Sequence, residues 1–505
     1  MTTKKARQSD RSGQEGSTSV DALYGPMMFH GMDAMGIIND MMQLAQQMSP
    51  NPRLLMEQQA KLARQATQIF ANDSDIAPER GDKRFNDPAW TDNVFYRTYM
   101  QGYLAWSSAM HEMVDAFGFD KVNAERARFM MQMLTDALSP TNSLLGNPAA
   151  MRKFFDTGGQ SFMDGLKNMV DDMVNNNGMP AQVDKSKFKV GENLAATPGV
   201  VVYKNEMFEL IQYKPQTEKV YARPTLFVPP QINKYYAFDL APDRSFIEFA
   251  VKNGIQMFLI SWRNPTSEHR DWGFSEYCSG ILEASDVVRA ISKSDDINLT
   301  GICVGGLTTA ALLSHLSQTG DTRANSLTLV VSSLDWEAEQ TNLTMFISPQ
   351  MVDMVKKKNA STGLFDGKEM GRVFAWLRPN DLVWSYWVNN YLLGNPPPAF
   401  DILYWNNDNT RLPAKFHGEV LESALSNPFV NPGRMTVLDS PVDLGAVKCD
   451  VYSVAGTTDH IAPWKGCYHG AQGFGGDVEF VLCGSGHIQS IINPPGNPKA
   501  NTKLH

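Results

Sequence analysis

The chain has 505 residues, 43% apolar and 20% charged, enough for two or more domains around a sizeable core. A formal net charge of −9 and the absence of a long basic stripe argue against nucleic acid as the main partner. Five irregularly spaced cysteines, no Cys-x-x-Cys, no His-Glu-x-x-His and no run of eighteen apolar residues argue against a disulfide framework, a zinc site and a membrane span.

The N-terminus carries Lys4, Lys5 and Arg7 but no apolar stretch behind them, so it does not read as a secretory signal. A reducing cytoplasm is the expected compartment. Residues 1–21 are polar and Gly/Ser-rich and are expected to form a disordered tail. Methionine then recurs at Met27, Met28, Met32, Met35, Met41, Met42, Met48 and Met56, with helical spacing through Met41, Leu44, Ala45 and Met48. Pro50 and Pro52 break that run. Amphipathic helices are predicted over 124–138 and 147–175, with turns at Asp87-Pro88 and Ser139-Pro140. Residues 22–190 therefore read as a mainly helical N-terminal region.

After Gly191 the pattern changes. β-rich runs at 199–213, 224–228, 256–262, 298–302, 326–331, 450–454 and 478–482 alternate with helical segments, which implies βαβ units and a mostly parallel sheet. Residues 191–505 are expected to form this α/β domain. It is interrupted at about 337–442 by an insertion rich in aromatics (Trp376, Trp384, Tyr386, Trp387, Tyr391, Tyr404, Trp405), with three prolines at 396–398. A lid is favoured for it over an extra packed subdomain.

Gly301-Ile302-Cys303-Val304-Gly305 lies between an apolar stretch and a helix-like run, a strand–tight turn–helix with a nucleophile at its apex. Serine is the usual occupant. A cysteine there exchanges acyl groups with thioesters readily. The bland alternative is a buried cysteine in a glycine-rich turn. In such a fold the order along the chain is nucleophile, acid, histidine. His487, after the run 479–486, is the candidate base, and Asp459, after 449–456, is the preferred acid. Asp335, after the sixth strand, is its rival. His460 and His469 do not follow the last strand and read as structural or rim residues. The oxyanion hole is expected to use the backbone N–H of Val304 and that of Gln231 or Ile232, because Pro229 and Pro230 have none.

These residues resemble the polyhydroxyalkanoate synthases of the single-subunit type, class I/II-like. The resemblance runs through Arg84-Phe85-Asn86-Asp87-Pro88-Ala89-Trp90, residues 228–234, Ser261-Trp262-Arg263-Asn264-Pro265 and Gly301-Ile302-Cys303-Val304-Gly305-Gly306. It continues through Trp376-Leu377-Arg378-Pro379-Asn380-Asp381, Tyr404-Trp405-Asn406-Asn407-Asp408, Asp459-His460 and Gly486-His487-Ile488. It covers about residues 80–500 in order and implies an α/β-hydrolase fold with an inserted lid subdomain. It further implies that an (R)-3-hydroxyacyl-coenzyme A acylates Cys303, coenzyme A leaves, and a 3-hydroxyl attacks the thioester so that a polyester grows. Asp459 either orients His487 or activates that hydroxyl. Arg378, Trp405, Asp408 and His460 are candidate pocket or gate residues, with core packing an equal reading for Trp405. No cofactor or metal is expected beyond the coenzyme A the substrate carries. A homodimer with granule-associated proteins, in the cytoplasm at the surface of polyester granules, is also implied.

Phe238-Asp239-Leu240 and Gln489-Ser490-Ile491-Ile492 are weakly similar to medium-chain members. Residues 1–80 match no family pattern, and family members continue past the position of His505 with a tryptophan-containing helical tail, so a truncated or short form is expected. The competing readings are a cysteine-dependent thioesterase or intracellular polyester depolymerase, with water as acceptor, and a non-enzymatic granule scaffold.

Overall fold

A computed structural model describes residues 51–339, 341, 344, 347–493 and 501–504. The expected tail over 1–21 and the methionine-rich stretch through Met48 lie outside the described residues. The first described helix, α1 (Pro52–Phe70), starts where Asn51 Oδ1 accepts the N–H groups of Arg53 and Leu54, with Pro52 in the first turn where no N–H is needed. It runs antiparallel to α2 (Val94–Ala116), tied by Asn51 N–H to Ala116 O (2.8 Å) and Lys61 to Glu112 (2.6 Å). The motif at 84–90 is structural here. Phe85 and Trp90 are buried edge-to-face at 5.0 Å, and Arg84 pairs with Asp82 (2.8 Å) and Asp136 (3.3 Å).

Helix α3 (Lys121–Ala137) follows, then α4 (Pro148–Asp156) and α5 (Gln160–Asn175). The stretch 147–175, expected as one helix, is thus two. Gly158 and Gly159 have φ of +60° and +89°, and a right-handed helix cannot run through left-handed residues.

The stretch 199–213 is also two elements, β1 (Gly199–Lys204) and β2 (Phe208–Tyr213), an antiparallel pair whose turn is closed by Asn205 Oδ1 accepting from Met207 and Phe208 N–H. The sheet continues with β3 (Thr225–Val228), β4 (Met257–Trp262), β5 (Ile297–Ile302), β6 (Ala324–Val330), β7 (Asp450–Gly456), β8 (Val478–Cys483) and β9 (Thr502–Leu504). Their spatial order is β1-β2-β4-β3-β5-β6-β7-β8-β9. Pairings from β4 to β8 are parallel, and β2 on β4 and β9 on β8 are antiparallel. The central strands are parallel, as the alternating β-rich and helical runs predict.

Helices α6 (Phe246–Lys252) and α13 (Trp464–Ala471) cover one face, and α7 (Phe274–Ser292) and α8 (Val304–Thr319) the other, so two cores form. A strand covered on both faces must be apolar throughout. Met257, Phe258, Leu259 and Ile260 of β4 are all at most 1% exposed, each side chain contributing about 1.5–3 kcal/mol by burial.

Between β6 and β7 the insertion forms α9 (Pro349–Thr362), α10 (Gly367–Trp376), two π-helical turns at Asn380–Trp384 and Val388–Leu392, α11 (Asp401–Asn406) and α12 (Ala414–Ser426). Its middle part packs against α3 and α5 as well as against the sheet domain.

Candidate active site

Cys303, Asp459 and His487 follow β5, β7 and β8, at the C-terminal edge of the parallel strands where open sheets gather their chemistry. Cys303 adopts φ +50°, ψ −125°, an uncommon conformation for a residue with a side chain, costing on the order of 1–3 kcal/mol. The surroundings enforce it. Cys303 N–H donates to Val330 O (3.0 Å), and Gly306 N–H donates back to Cys303 O (2.9 Å). The elbow glycines are required by contact. A Cβ on Gly305 would sit 2.6 Å from Val228 O, and one on Gly306 would sit 2.0 Å from Ser332 Oγ.

His487 is 9% exposed, and its Nδ1–H donates to Asp459 Oδ2 at 2.7 Å. Asp459 Oδ1 accepts from the backbone N–H groups of Ile461 and Ala462, both at 2.9 Å, so the carboxylate is held from both oxygens. This leaves Nε2 of the ring for Cys303. Burial alone would lower the imidazole pKa, but hydrogen bonds and charge from Asp459 and Cys303 outweigh it and raise it to about 10. Asp335 is engaged elsewhere. Its Oδ1 accepts from Asn427 Nδ2 (2.8 Å) and Glu337 N–H (2.9 Å), and its other oxygen lies 3.8 Å from His469 Nδ1. Those two residues border a surface groove of about 730 Å³, lined also by Phe429, Leu444 and Tyr468, which contains neither Cys303 nor His487.

The backbone N–H groups of Val304, Gln231 and Ile232 make no hydrogen bond among the described residues. Val304 opens α8, where the first-turn N–H groups and the helix dipole both favour negative charge. The Gln231 side chain is buried, and its Nε2 donates to Thr308 Oγ1 (3.1 Å), which ties its loop to α8. Trp405 and Asp408 hold the same loop from the insertion. Trp405 Nε1–H donates to Lys234 O (2.7 Å), and Tyr236 OH donates to Asp408 Oδ2 (2.7 Å). Trp405 is 5% exposed, so it packs in the core as well as bracing the loop. His460 is half-buried. Burial lowers its pKa, the charge of Arg378 lowers it further, and the charges of Asp459 and Asp381 oppose them; Arg378 and Asp381 are paired with each other.

Sequence reasoning missed Cys467 on α13. It is fully buried, and burial pushes its thiol well up, with the charges of Asp459 and Cys303 adding to the effect. It packs in the same apolar core as Cys303. Nothing in its spacing distinguishes it from Cys278, Cys449 or Cys483. Among the described residues no group of three His, Cys, Asp or Glu side chains is arranged to hold a metal ion, and no helix is long and apolar enough to cross a membrane.

Comparison with known proteins adds a second line of observation. Residues 81–250 match the family described as poly-beta-hydroxybutyrate polymerase (PhaC) N-terminus, and residues 230–494 match the alpha/beta hydrolase fold. The chain is 51% identical over 432 residues to poly(3-hydroxyalkanoate) polymerase 1 of Ectopseudomonas oleovorans, covering 86% of this chain and 77% of that protein. It is 47% identical over 471 residues to polymerase 2 of the same organism, covering 93% and 84%. It is 40% identical over 425 residues to the poly(3-hydroxyalkanoate) polymerase subunit PhaC of Cupriavidus necator, covering 83% and 72%.

Proposed function

The chain belongs to the poly(3-hydroxyalkanoate) polymerase family, and from that premise we propose that it polymerises (R)-3-hydroxyacyl-coenzyme A through an acyl-Cys303 intermediate. The observation that carries the intermediate is the strained Cys303 at the elbow, beside a buried imidazole whose other nitrogen is bonded to Asp459 at 2.7 Å. His487 takes the thiol proton, and the imidazolium so formed favours the thiolate. Cys303 Sγ then attacks the thioester carbonyl. The N–H of Val304 and that of Gln231 or Ile232 receive the oxyanion as it develops. The carbon–sulfur bond to coenzyme A breaks, and the coenzyme A thiolate takes the proton from His487.

The 3-hydroxyl of an incoming unit or chain end next attacks the acyl-cysteine. Asp459 orients the imidazole that removes the hydroxyl proton. An ester bond forms and the Cys303 thiol is restored. No cofactor is needed, since coenzyme A arrives with the substrate. Residues 191–505 act as the catalytic domain, with the insertion at about 337–442 as its lid. Arg378 and His460 line the approach to Cys303, while Trp405 and Asp408 fix the oxyanion loop. Family membership also supports a homodimer working with granule-associated proteins, in the cytoplasm at the surface of polyester granules.

The test is incubation with (R)-3-hydroxybutyryl-coenzyme A and a medium-chain homologue, followed by sizing of the product. Polymer formed with release of coenzyme A supports the proposal. Free hydroxy acid without polymer overturns it in favour of a thioesterase or depolymerase of the same fold.

A further inference from the structure

Gln231 and Val304, which carry two of the N–H groups proposed to meet the oxyanion, are joined through one hydroxyl. Thr308 lies one turn after Val304 on α8 and is 0% exposed. Its Oγ1 sits 3.0 Å from Val304 O and 3.1 Å from Gln231 Nε2. A carbonyl can only accept, so the hydroxyl donates to Val304 O and a lone pair of its oxygen takes the Gln231 Nε2–H. The backbone beneath the hydroxyl is held in turn, because Cys278 Sγ on α7 donates to Thr308 O (3.4 Å). The loop itself is fastened at Pro229 O by Trp262 Nε1–H (2.9 Å) and at Lys234 O by Trp405 Nε1–H (2.7 Å). Between those two points Gln231 bonds it to α8.

Stability does not account for either side chain. Leu307, Ala310, Ala311 and Leu312, beside Thr308 on α8, are all at most 2% exposed, and valine would fill the place of Thr308 without a polar atom. A threonine hydroxyl bonded to the carbonyl four residues back weakens a helix slightly. Gln231 is 1% exposed, and its Oε1 has no hydrogen-bond partner among the described residues. An unpaired buried acceptor is costly, so a methionine of similar length would suit the same space better.

We propose that Thr308 and the Gln231 side chain are positioning residues: the bond between them sets the gap across which the Val304 N–H and the loop N–H meet the oxyanion. Two donors must reach one developing negative charge, and they help only where they already stand at bonding distance. Apolar packing would fill the space between loop and helix, whereas a hydrogen bond also fixes the distance and direction of approach. The path is short at both ends. The hydroxyl is bonded to the residue that owns one donor, and the amide belongs to the residue that owns the other or precedes it. The proposal rests on the reading of these N–H groups as the oxyanion hole.

The test is coenzyme A release in the first turnover, followed by rapid quenching over a range of (R)-3-hydroxybutyryl-coenzyme A concentrations. Thr308→Val keeps the shape and removes the hydroxyl. Thr308→Ser keeps the hydroxyl and removes a methyl. Gln231→Met keeps the length and removes both polar ends. Thr308→Val and Gln231→Met should lower the limiting rate on the order of tenfold, with the half-saturating concentration within about twofold of the parent. Thr308→Ser should stay within about threefold of the parent rate although its lost methyl lowers Tm. Gln231→Met should leave Tm equal or higher, because the orphaned acceptor is gone. Activity that follows the hydroxyl and the amide rather than Tm separates positioning from a merely structural role. A limiting rate within about twofold of the parent in either Thr308→Val or Gln231→Met overturns the proposal. So does a Thr308→Ser enzyme as slow as Thr308→Val. If Thr308→Val does not fold, Gln231→Met and Thr308→Ser decide by the same criteria. Acylation precedes the choice of acceptor, so a free-acid product would overturn the polymerase reading and leave this proposal standing.

Discussion

Gly305→Ala is the sharpest perturbation of the site, because its added methyl meets backbone rather than a side chain that can turn away. The new Cβ would lie 2.6 Å from Val228 O, 2.7 Å from Pro229 O and 2.9 Å from Pro229 C. Pro229 cannot simply retreat, since its carbonyl also accepts Trp262 Nε1–H at 2.9 Å. Restoring the 3.0–3.4 Å of tight but real Cβ contacts requires α8 and the loop to separate by roughly 0.4–0.8 Å. The two proposed oxyanion donors lie on opposite sides of that gap, Val304 on α8 and Gln231 or Ile232 on the loop. A displacement of this size should lower kcat for coenzyme A release on the order of a hundredfold. Overpacking should cost about 1–3 kcal/mol, which lowers Tm by several degrees. Coenzyme A thiol release, with Tm from the same preparation, measures both. Gly102→Ala on α2 is the control, because its Cβ would meet nothing within 4 Å. It should leave activity unchanged and Tm equal or higher, as alanine suits a helix interior better by about 1 kcal/mol. A Gly305→Ala enzyme within twofold of the parent in kcat would refute the close-approach reasoning.

Thiol alkylation at neutral pH should modify Cys303 ahead of the other cysteines, since Cys278 and Cys467 are fully buried and burial pushes the Cys449 thiol up to about 11; uniform labelling of all five would contradict this. Asp459→Asn should cost far more activity than Asp335→Asn, and the reverse ranking in coenzyme A release would move the acid to the end of β6. His487 has a folded pKa raised to about 10 above an unfolded value near 6.5, so its contribution to stability is complete below about pH 6.5 and is lost as pH rises through about 10. The Tm gap between the parent and His487→Gln should accordingly shrink between those pH values, and a gap that widens would be the wrong sign. Trp405→Phe keeps an aromatic ring but loses the bond to Lys234 O, so kcat should fall with little change in KM; a rise in KM alone would argue for direct substrate contact.

What the sequence made legible was local or ordered along the chain. The elbow was readable because its glycines, its cysteine and its flanking strand and helix lie within a few residues. Asp459 and His487 were readable as a candidate pair because each follows a β-rich run in the expected chain order, and the structure bonds them to each other at 2.7 Å. The break at Gly158-Gly159 was visible as residues, but amphipathic spacing continues across it and masked it. The hairpin at 199–213 was hidden in the same way, since both of its strands are β-rich and only Asn205 marks the turn. The attachment of the insertion to α3 and α5 was not legible at all. It joins residues more than two hundred positions apart through Asn, Gln and Asp side chains that, in isolation, read as solvated helix surface. Trp405 illustrates the remaining difficulty. Its aromatic character suggested either pocket or core, and the geometry gives it a third task, bracing the loop that carries Gln231 and Ile232.

The central claim is covalent catalysis at Cys303, and rapid quenching tests it most directly. Enzyme mixed with (R)-3-hydroxybutyryl-coenzyme A should be quenched in acid, digested and examined by mass spectrometry. The expected result is a hydroxyacyl adduct, or a short oligoester, on the peptide bearing Cys303, absent from Cys303→Ala, which should retain the parent's Tm and release no coenzyme A. Polymer formation by Cys303→Ala, or turnover with the acyl group on another residue, would contradict it.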